Sequence, residues 1–203
     1  GRYTLAKPLK GIMSHFGPLH INSKYRPSYN ISPSQLSPVV INNSEERELT
    51  AMKWGLVPSW TKDEKIKLIN ARSETAHEKP SFKNSLRSKR CLIPADGFIE
   101  WRGTEKQPCY IYLKDQELFG FAGLWSTWNS PEGVSLNTYS ILTTEANKKL
   151  SPIHTRMPVI LPPKQYKAWL APDSSLDTLR GLLTAYPSEE FGFHPVSKEV
   201  HSP

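Results

Sequence analysis

Apolar residues recur at helical spacing in two parts of the chain. Near the start, apolar residues stand at positions i, i+3, i+4 and i+7, which are Leu9, Ile12, Met13 and Phe16. This spacing predicts an amphipathic helix, which Gly17-Pro18 should end. Near the other end, helices are predicted over 164–170 and 175–183. The second of these has a stripe formed by Leu176, Leu179, Leu182 and Leu183, which should face the core.

The middle of the chain has the pattern of short strands. Runs of β-branched and aromatic residues, separated by turn residues, predict a hairpin from 39–41 and 49–57, and strands at 91–101, 110–114, 118–128, 138–144 and 158–161. The Pro-rich stretch 26–38 is predicted to be a shaped loop, and 58–90 to contain short helical turns. The expected fold class is α+β: a single β-dominated domain over 1–203, with an antiparallel twisted sheet or open barrel and peripheral helices.

Composition narrows the class of protein. Eighteen Pro in 203 residues argue against a helical bundle, and a net charge of +7 favours an anionic partner such as nucleic acid. The longest apolar runs fall far short of a membrane span, and no secretory signal is visible, which indicates a soluble cytoplasmic protein. Cys91 and Cys109 are too few for a disulfide framework or a four-ligand zinc site.

Several polar residues are candidates for chemistry on their local context. Glu100 interrupts an apolar strand, so it is either a desolvated acid–base group or an ordinary solvent-facing carboxylate. His154 lies in a loop between two prolines. It is either a proton-transfer group or a histidine that is simply hydrogen-bonded to the backbone. One face of an extended strand would carry Asn70, Arg72 and Glu74. Their side chains could recognise a polar ligand, or they could simply form a surface salt bridge.

The tryptophans and cysteines have similarly open interpretations. Trp54 and Trp60 flank a short apolar segment, where an exposed indole could stack on bases, although most tryptophans serve the core. Cys91 lies among apolar neighbours and should be inert packing. Cys109, next to Pro108, is predicted at a strand edge with no motif partner.

Eight segments, in order, resemble the SOS response-associated peptidase (SRAP) family over nearly the whole chain. They include WGLVPSW (54–60), INARSET (69–75), RCLIPADGFIEW (90–101) and IHTRMPVIL (153–161), together with residues 1–3, 29–33, 143–147 and 194–197. The family binds abasic sites in single-stranded DNA. It links to them through an N-terminal Cys, whose amine and thiol form a thiazolidine with the sugar aldehyde.

The resemblance implies a role for particular residues. The motifs place the catalytic Asn, Glu and His at Asn70, Glu100 and His154, and the residues along the DNA strand at Arg2, Asn30, Trp60, Arg72, Thr143 and Arg156. The family begins Met-Cys-Gly-Arg, whereas this sequence begins Gly1-Arg2. We therefore expect the nucleophilic Cys immediately before Gly1.

The resemblance leaves two alternative functions. One is a thiol autopeptidase or hydrolase that cleaves its own N-terminal segment with the same residues; the other is a non-catalytic DNA-binding module. In each case we expect no cofactor, no metal and no membrane partner, and a monomeric protein. Its partner would be single-stranded DNA containing abasic sites, and its location cytoplasmic, at the nucleoid when bound to DNA.

Overall fold

A computed structural model describes residues 1–43 and 46–202 and contains two β-sheets. The strands of the described residues are, in chain order, β1 (Arg2–Leu5), β2 (Leu19–Ile21), β3 (Ser28–Ile31), β4 (Leu36–Asn43), β5 (Glu46–Trp54), β6 (Asn70–Arg72), β7 (Arg90–Ala95), β8 (Gly97–Arg102), β9 (Gln107–Leu113), β10 (Phe119–Asn129), β11 (Ser135–Glu145), β12 (Arg156–Pro158), β13 (Ile160–Leu161) and β14 (Phe191–Pro195).

Short helices surround the sheets. They are α1 (Leu9–Phe16), α2 (Lys83–Ser88), α3 (Tyr166–Leu170) and α4 (Leu176–Leu182), with 3₁₀ turns at Pro163–Gln165, Ser188–Glu190 and Lys198–His201. Within residues 1–43 and 46–202, no helix has the length and apolar character that a membrane crossing requires.

The larger sheet closes on itself. Its antiparallel order β11-β10-β7-β4-β5 is completed by a parallel pairing of β5 with β11, which aligns Trp54 with Tyr139. The smaller sheet has the order β14-β9-β8-β1-β3 and is antiparallel throughout. The predicted β-dominated α+β class with a barrel and peripheral helices is confirmed.

Asp96 is the corner at which the chain passes from the barrel to the smaller sheet. The predicted single strand 91–101 was wrong, because the chain breaks there into β7 of the barrel and β8 of the smaller sheet. The Asp96 carboxylate accepts hydrogen bonds from the hydroxyl of Thr4 and, at 2.6 Å, from the backbone N–H of Ala6. The corner therefore depends on contacts with a segment ninety residues away in the chain.

Predictions that rested on local periodicity agree best with the structure. Helix α1 is confirmed and ends before Gly17, whose φ of 91° suits glycine. The β4–β5 hairpin is confirmed, although Ser44 and Glu45 of its predicted turn lie outside the described residues. The stripe in α4 faces the core, with Leu179 and Leu183 buried. The predicted helix 164–170 begins as a 3₁₀ turn before α3.

Other predictions failed where strands are short. The stretch 26–38 is only partly loop, because it contains β3 and the start of β4. The strands β1, β2 and β14 were not predicted, and β6 was expected only as an extended segment; α2 lies within 58–90, where short helical turns were expected. Each of these strands has five residues or fewer, so its extended conformation depends on a distant partner rather than on its own pattern.

Gly123 is required by close packing between β10 and β7. A Cβ atom there would lie 2.3 Å from Cδ1 of Ile93 and 2.9 Å from Sγ of Cys91. We expect Gly123→Ala to lower the free energy of unfolding by about 1–3 kcal/mol, as overpacked cores do, measured by urea denaturation.

Gly181 provides the matched control. It lies within α4, and a Cβ atom there would meet nothing within 4 Å among the described residues. Gly181→Ala should raise the free energy of unfolding by up to about 1 kcal/mol, since Ala is the better helix former. Equal effects of the two substitutions would contradict the packing argument.

Candidate active site

A cleft lies where the smaller sheet meets the barrel. Its empty volume is about 440 Å³, including open solvent at the mouth. Three parts of the chain supply its polar wall: the start of the chain with β8, the strands β6 and β11, and the segment that leads into β12. The polar residues of the wall are Arg2, Asn70, Glu100, Thr143, His154 and Arg156, and Gly1 lies beside them.

Glu100 lies next to the start of the chain. The antiparallel register pairs Arg2 with Ile99, so the next position on each strand brings Gly1 and Glu100 together. Burial raises the pKa of Glu100 above its usual value, although His154 and the α-ammonium group of Gly1 oppose this. Glu100 is therefore a carboxyl group that holds its proton more tightly than an exposed one.

The α-amine of Gly1 holds its proton less tightly than an exposed amine does. Gly1 is exposed as a residue, yet burial of its amine is the main cause that lowers its pKa. Glu100 opposes that shift and Arg2 adds to it. A larger share of amines at this position is therefore unprotonated near neutral pH, and an unprotonated amine is nucleophilic.

His154 is held by the peptide of Arg156. Its Nδ1 lies 3.0 Å from the Arg156 backbone nitrogen and 3.1 Å from the Arg156 carbonyl oxygen. An unprotonated Nδ1 accepts from that N–H, and a protonated Nδ1 donates to that carbonyl. The same backbone segment thus accommodates either protonation state, while Nε2 remains available to exchange hydrogen bonds with a ligand.

Strand β6 presents two of the predicted site residues. It runs parallel to β11, with Asn70 beside Ile141 and Arg72 beside Thr143. Asn70 and Arg72 are exposed, whereas Ala71 between them is buried, so the two polar side chains share one face. The expectation that Glu74 continues this strand was wrong, because β6 ends at Arg72 and a turn follows.

Glu74 is paired with Arg156. The two guanidinium nitrogens NH1 and NH2 donate to Oε1 and Oε2 of Glu74, each at 2.8 Å. NH2 also donates to the carbonyl oxygen of Thr143 at 2.9 Å and to its hydroxyl at 3.2 Å. This hydrogen-bonded pair holds the pKa of Glu74 below its usual value. The salt-bridge interpretation of Glu74 is therefore the one the structure bears out.

Arg2 and Asn30 are both engaged by the C-terminal turn; Arg2 also borders the cleft, whereas Asn30 lies outside its lining. The Arg2 side chain donates to the carbonyl oxygen of His201 at 3.2 Å and lies over the Trp101 ring. The Asn30 amide donates to the carbonyl oxygen of Val200 at 3.0 Å. Both side chains must exchange these partners before they can contact another molecule.

The two tryptophans of WGLVPSW differ in exposure. Trp54 is 3% exposed, and its indole N–H donates to the carbonyl oxygen of Ile69 at 3.0 Å. Trp60 is 59% exposed, and its N–H donates to the carbonyl oxygen of Pro80 at 3.3 Å. Trp54 therefore serves the core at the base of the cleft, and Trp60 offers a ring face to solvent.

Sequence reasoning missed the apolar wall of the cleft. It consists chiefly of Tyr3, Trp54, Phe98, Phe121, Ile141 and Met157. Strand alternation would have identified Phe98, because it stands two residues before Glu100 and so projects from the same face of β8. Phe121 and Ile141 come from the barrel, and nothing in their local pattern indicates this neighbourhood.

Neither cysteine belongs to the site. Cys91 is buried, and burial raises the pKa of its thiol far above the usual value, as expected for inert packing. The prediction that Cys109 lies at a strand edge was wrong. Its strand β9 pairs with both β8 and β14, and its side chain is buried.

Comparisons with known proteins agree on one family. The family model described as "SOS response associated peptidase (SRAP)" matches residues 1–203. The abasic site processing protein YoqW of Bacillus subtilis is 45% identical over 211 residues, covering 100% of this chain and 94% of that protein. The abasic site processing protein HMCES of Xenopus tropicalis is 37% identical, covering 89% of this chain and 64% of that protein.

A solved structure has the same architecture. A crystal structure of a protein from Bacteroides thetaiotaomicron matches with a TM-score of 0.89 and 29% sequence identity, covering 98% of this chain and 92% of that one. The arrangement of the two sheets therefore belongs to a fold that is also known from experiment.

The raised pKa of Glu100 has a consequence for stability. Its native carboxyl keeps a proton to higher pH than the unfolded chain does, so stability falls as pH rises through that interval. Glu100→Gln removes this loss. At pH 7.5 we expect the variant to melt above the parent, by about 2–4 °C for each kcal/mol of stability regained. At pH 4 the two melting temperatures should be close.

Differential scanning calorimetry at the two pH values measures this effect. Glu105→Gln, on the exposed turn after β8, makes the same chemical change outside the cleft and should leave the difference between the two pH values unchanged. A Glu100→Gln protein that is less stable than the parent at pH 7.5 would contradict the raised pKa.

Proposed function

The chain belongs to the SOS response-associated peptidase (SRAP) family, and from its cleft we propose that it binds abasic sites in single-stranded DNA and crosslinks to them. The observation that carries this proposal is Glu100, a carboxyl of raised pKa beside the nitrogen of Gly1. The names of relatives such as YoqW and HMCES, which process abasic sites, support the same substrate.

The nucleophile would be a Cys attached to the nitrogen of Gly1. Because Gly1 and Glu100 line the same cleft, the amine and thiol of such a residue would lie near Glu100. The amine attacks C1′ of the ring-opened sugar aldehyde to give a carbinolamine, which loses water to form an imine. Addition of the thiolate to the imine carbon, with a proton delivered to nitrogen, closes a thiazolidine.

Glu100 would move the protons of these steps. As a carboxylic acid it donates to the hydroxyl that leaves the carbinolamine, and as a carboxylate it accepts the proton of the incoming amine. The raised pKa supports this double use, because it shifts the titration of Glu100 toward neutral pH. The cleft thus has a proton donor and acceptor next to the reacting nitrogen.

His154 and Asn70 would hold the sugar. Nε2 of His154 can donate to or accept from a sugar hydroxyl, since Nδ1 has a backbone partner in either protonation state. The Asn70 amide offers one donor group and one acceptor from an exposed position on β6. Together they would orient the aldehyde carbon toward the amine.

The DNA strand would cross the exposed face of β6. Arg72 lies on the same face as Asn70, where its guanidinium can pair with a phosphate. The exposed Trp60 offers a ring on which a base can stack. Thr143 is buried and would act through Arg156, to which it is hydrogen-bonded. Arg2 and Asn30 would join only after they leave the C-terminal turn.

Covalent attachment is tested with a protein that has Cys immediately before Gly1, incubated with an oligonucleotide containing one abasic site. We expect a shifted band that survives boiling on a denaturing gel. A Ser at the same position keeps the amine and lacks the thiol, so it should give only a species trapped by borohydride. Glu100→Gln should slow crosslinking by about 10²- to 10⁴-fold.

The alternatives give different results in the same assay. An equally stable band from the Ser form would contradict the role of the thiol. Binding without any covalent band would favour a DNA-binding module. Cleavage of an N-terminal extension placed before the Cys, without a DNA adduct, would favour the autopeptidase. A Glu100→Gln protein that crosslinks at the parental rate would remove Glu100 from the mechanism.

Phosphate contacts are tested by salt. The logarithm of the affinity for single-stranded DNA should fall linearly with the logarithm of salt concentration, with a slope of about −0.7 per phosphate contacted. Arg72→Ala should weaken all sequences alike and reduce the slope by about 0.7. Fluorescence anisotropy from 50 to 300 mM salt measures it. Lys164→Ala, on an exposed 3₁₀ turn, is the control. A slope unchanged by Arg72→Ala would contradict the contact.

A further inference from the structure

The ion pair of Glu74 and Arg156 forms part of the cleft wall. The Arg156 side chain is 17% exposed and the Glu74 side chain 47%. Both carboxylate oxygens accept from the guanidinium, in the two-pronged geometry that arginine uses for planar anions. Arg156 is thus paired before any ligand arrives.

The partner of Arg156 resembles a phosphate in its chemistry. Arginine binds carboxylates and phosphates through the same fork of N–H donors, at similar distances. NH2 already serves Glu74 and the carbonyl oxygen of Thr143, and NH1 serves Glu74. A DNA phosphate that binds this fork in the two-pronged geometry must therefore replace the Glu74 carboxylate.

Phosphate contacts do not distinguish damaged from intact DNA. An abasic nucleotide keeps its backbone, so each Arg–phosphate pair strengthens binding to both kinds of strand equally. Discrimination must come from the aldehyde and the missing base. A competitor that weakens one phosphate contact therefore lowers the affinity for intact and abasic strands alike, so less of the protein is held on undamaged DNA.

We propose that Glu74 competes with DNA phosphates for Arg156 and so restrains the noncovalent binding of single strands, damaged or intact. The inference rests on the proposed function, since it takes single-stranded DNA as the ligand. Glu74 is exposed on its solvent side, so it can swing away when a phosphate arrives. Removal of its charge should release the fork for DNA.

A purely structural role for Glu74 predicts a different result. Arg156 carries the peptide that holds Nδ1 of His154, so Glu74 could act by anchoring that segment. Loss of such an anchor would slow crosslinking and leave the number of phosphate contacts unchanged. The salt dependence of binding therefore separates competition from anchoring.

The experiment measures the binding of an abasic-free oligonucleotide by fluorescence anisotropy at several salt concentrations. Glu74→Gln removes the charge, and Glu74→Ala removes the hydrogen-bonding group as well. Both should bind about 3- to 10-fold more tightly than the parent at 50 mM salt, with a slope steeper by about 0.7, the value for one further phosphate.

Two controls make the result specific. Glu78→Gln removes the same charge from a neighbouring residue that pairs with His77 and should have little effect on the slope. In an Arg156→Ala background, Glu74→Gln should no longer change the slope, because the residue through which it acts is absent. Melting temperatures report on folding for each variant.

The outcomes are distinct. A slope that Glu74→Gln leaves unchanged, or weaker binding by both variants, would overturn the competition. An equal slope change in the Arg156→Ala background would do the same. If the parent protein with Cys before Gly1 bound no single-stranded DNA and crosslinked to no abasic site, the proposed function itself would fail.

Discussion

A buried cluster of three hydroxyl groups joins the two sheets beneath the cleft. Tyr3 of β1 donates to Oγ of Ser37 on β4 at 2.8 Å and lies 2.6 Å from the hydroxyl of Tyr139 on β11. Since Tyr3 donates to Ser37, its oxygen accepts from Tyr139. Trp54 stacks on Tyr139, with ring planes 7° apart, and closes the cluster from one side. An unpaired hydroxyl here would be costly, which favours one placement of β1.

The placement of β1 determines the chemistry above it. Gly1 and Arg2 directly precede Tyr3, so an anchored Tyr3 holds the start of the chain against β8 and beside Glu100. The Asp96 corner acts on the same strand from its other end, because it bonds Thr4 and Ala6. Polar contacts toward the barrel and at the corner thus support the position of the Gly1 nitrogen beside Glu100.

Burial, rather than the charges of the cleft, keeps Glu100 hard to ionise. It outweighs the opposing effects of His154 and the Gly1 amine on the pKa of Glu100. The protein has a net charge of +7, yet Arg156, which borders the cleft, is already paired with Glu74. Under our proposal, this ion pair restrains a phosphate-binding group.

Local pattern predicted the elements whose signal lies within a short stretch of sequence. Periodicity and turn residues were enough to predict helix α1, the β4–β5 hairpin and the leucine stripe of α4. The SRAP motifs likewise indicated Asn70, Glu100 and His154, which the structure brings to one cleft. These features are encoded within short stretches of sequence.

Tertiary structure alone decided the relations between distant segments. The break at Asp96, the pairing of β6 with β11 and the bond from Glu74 to Arg156 join residues roughly 70 to 90 positions apart. No short window contains both partners, and a strand as short as β6 takes its conformation from the strand it joins. The sequence therefore indicated the candidate groups, and long-range pairing decided which of them lie open in the cleft and which are already hydrogen-bonded.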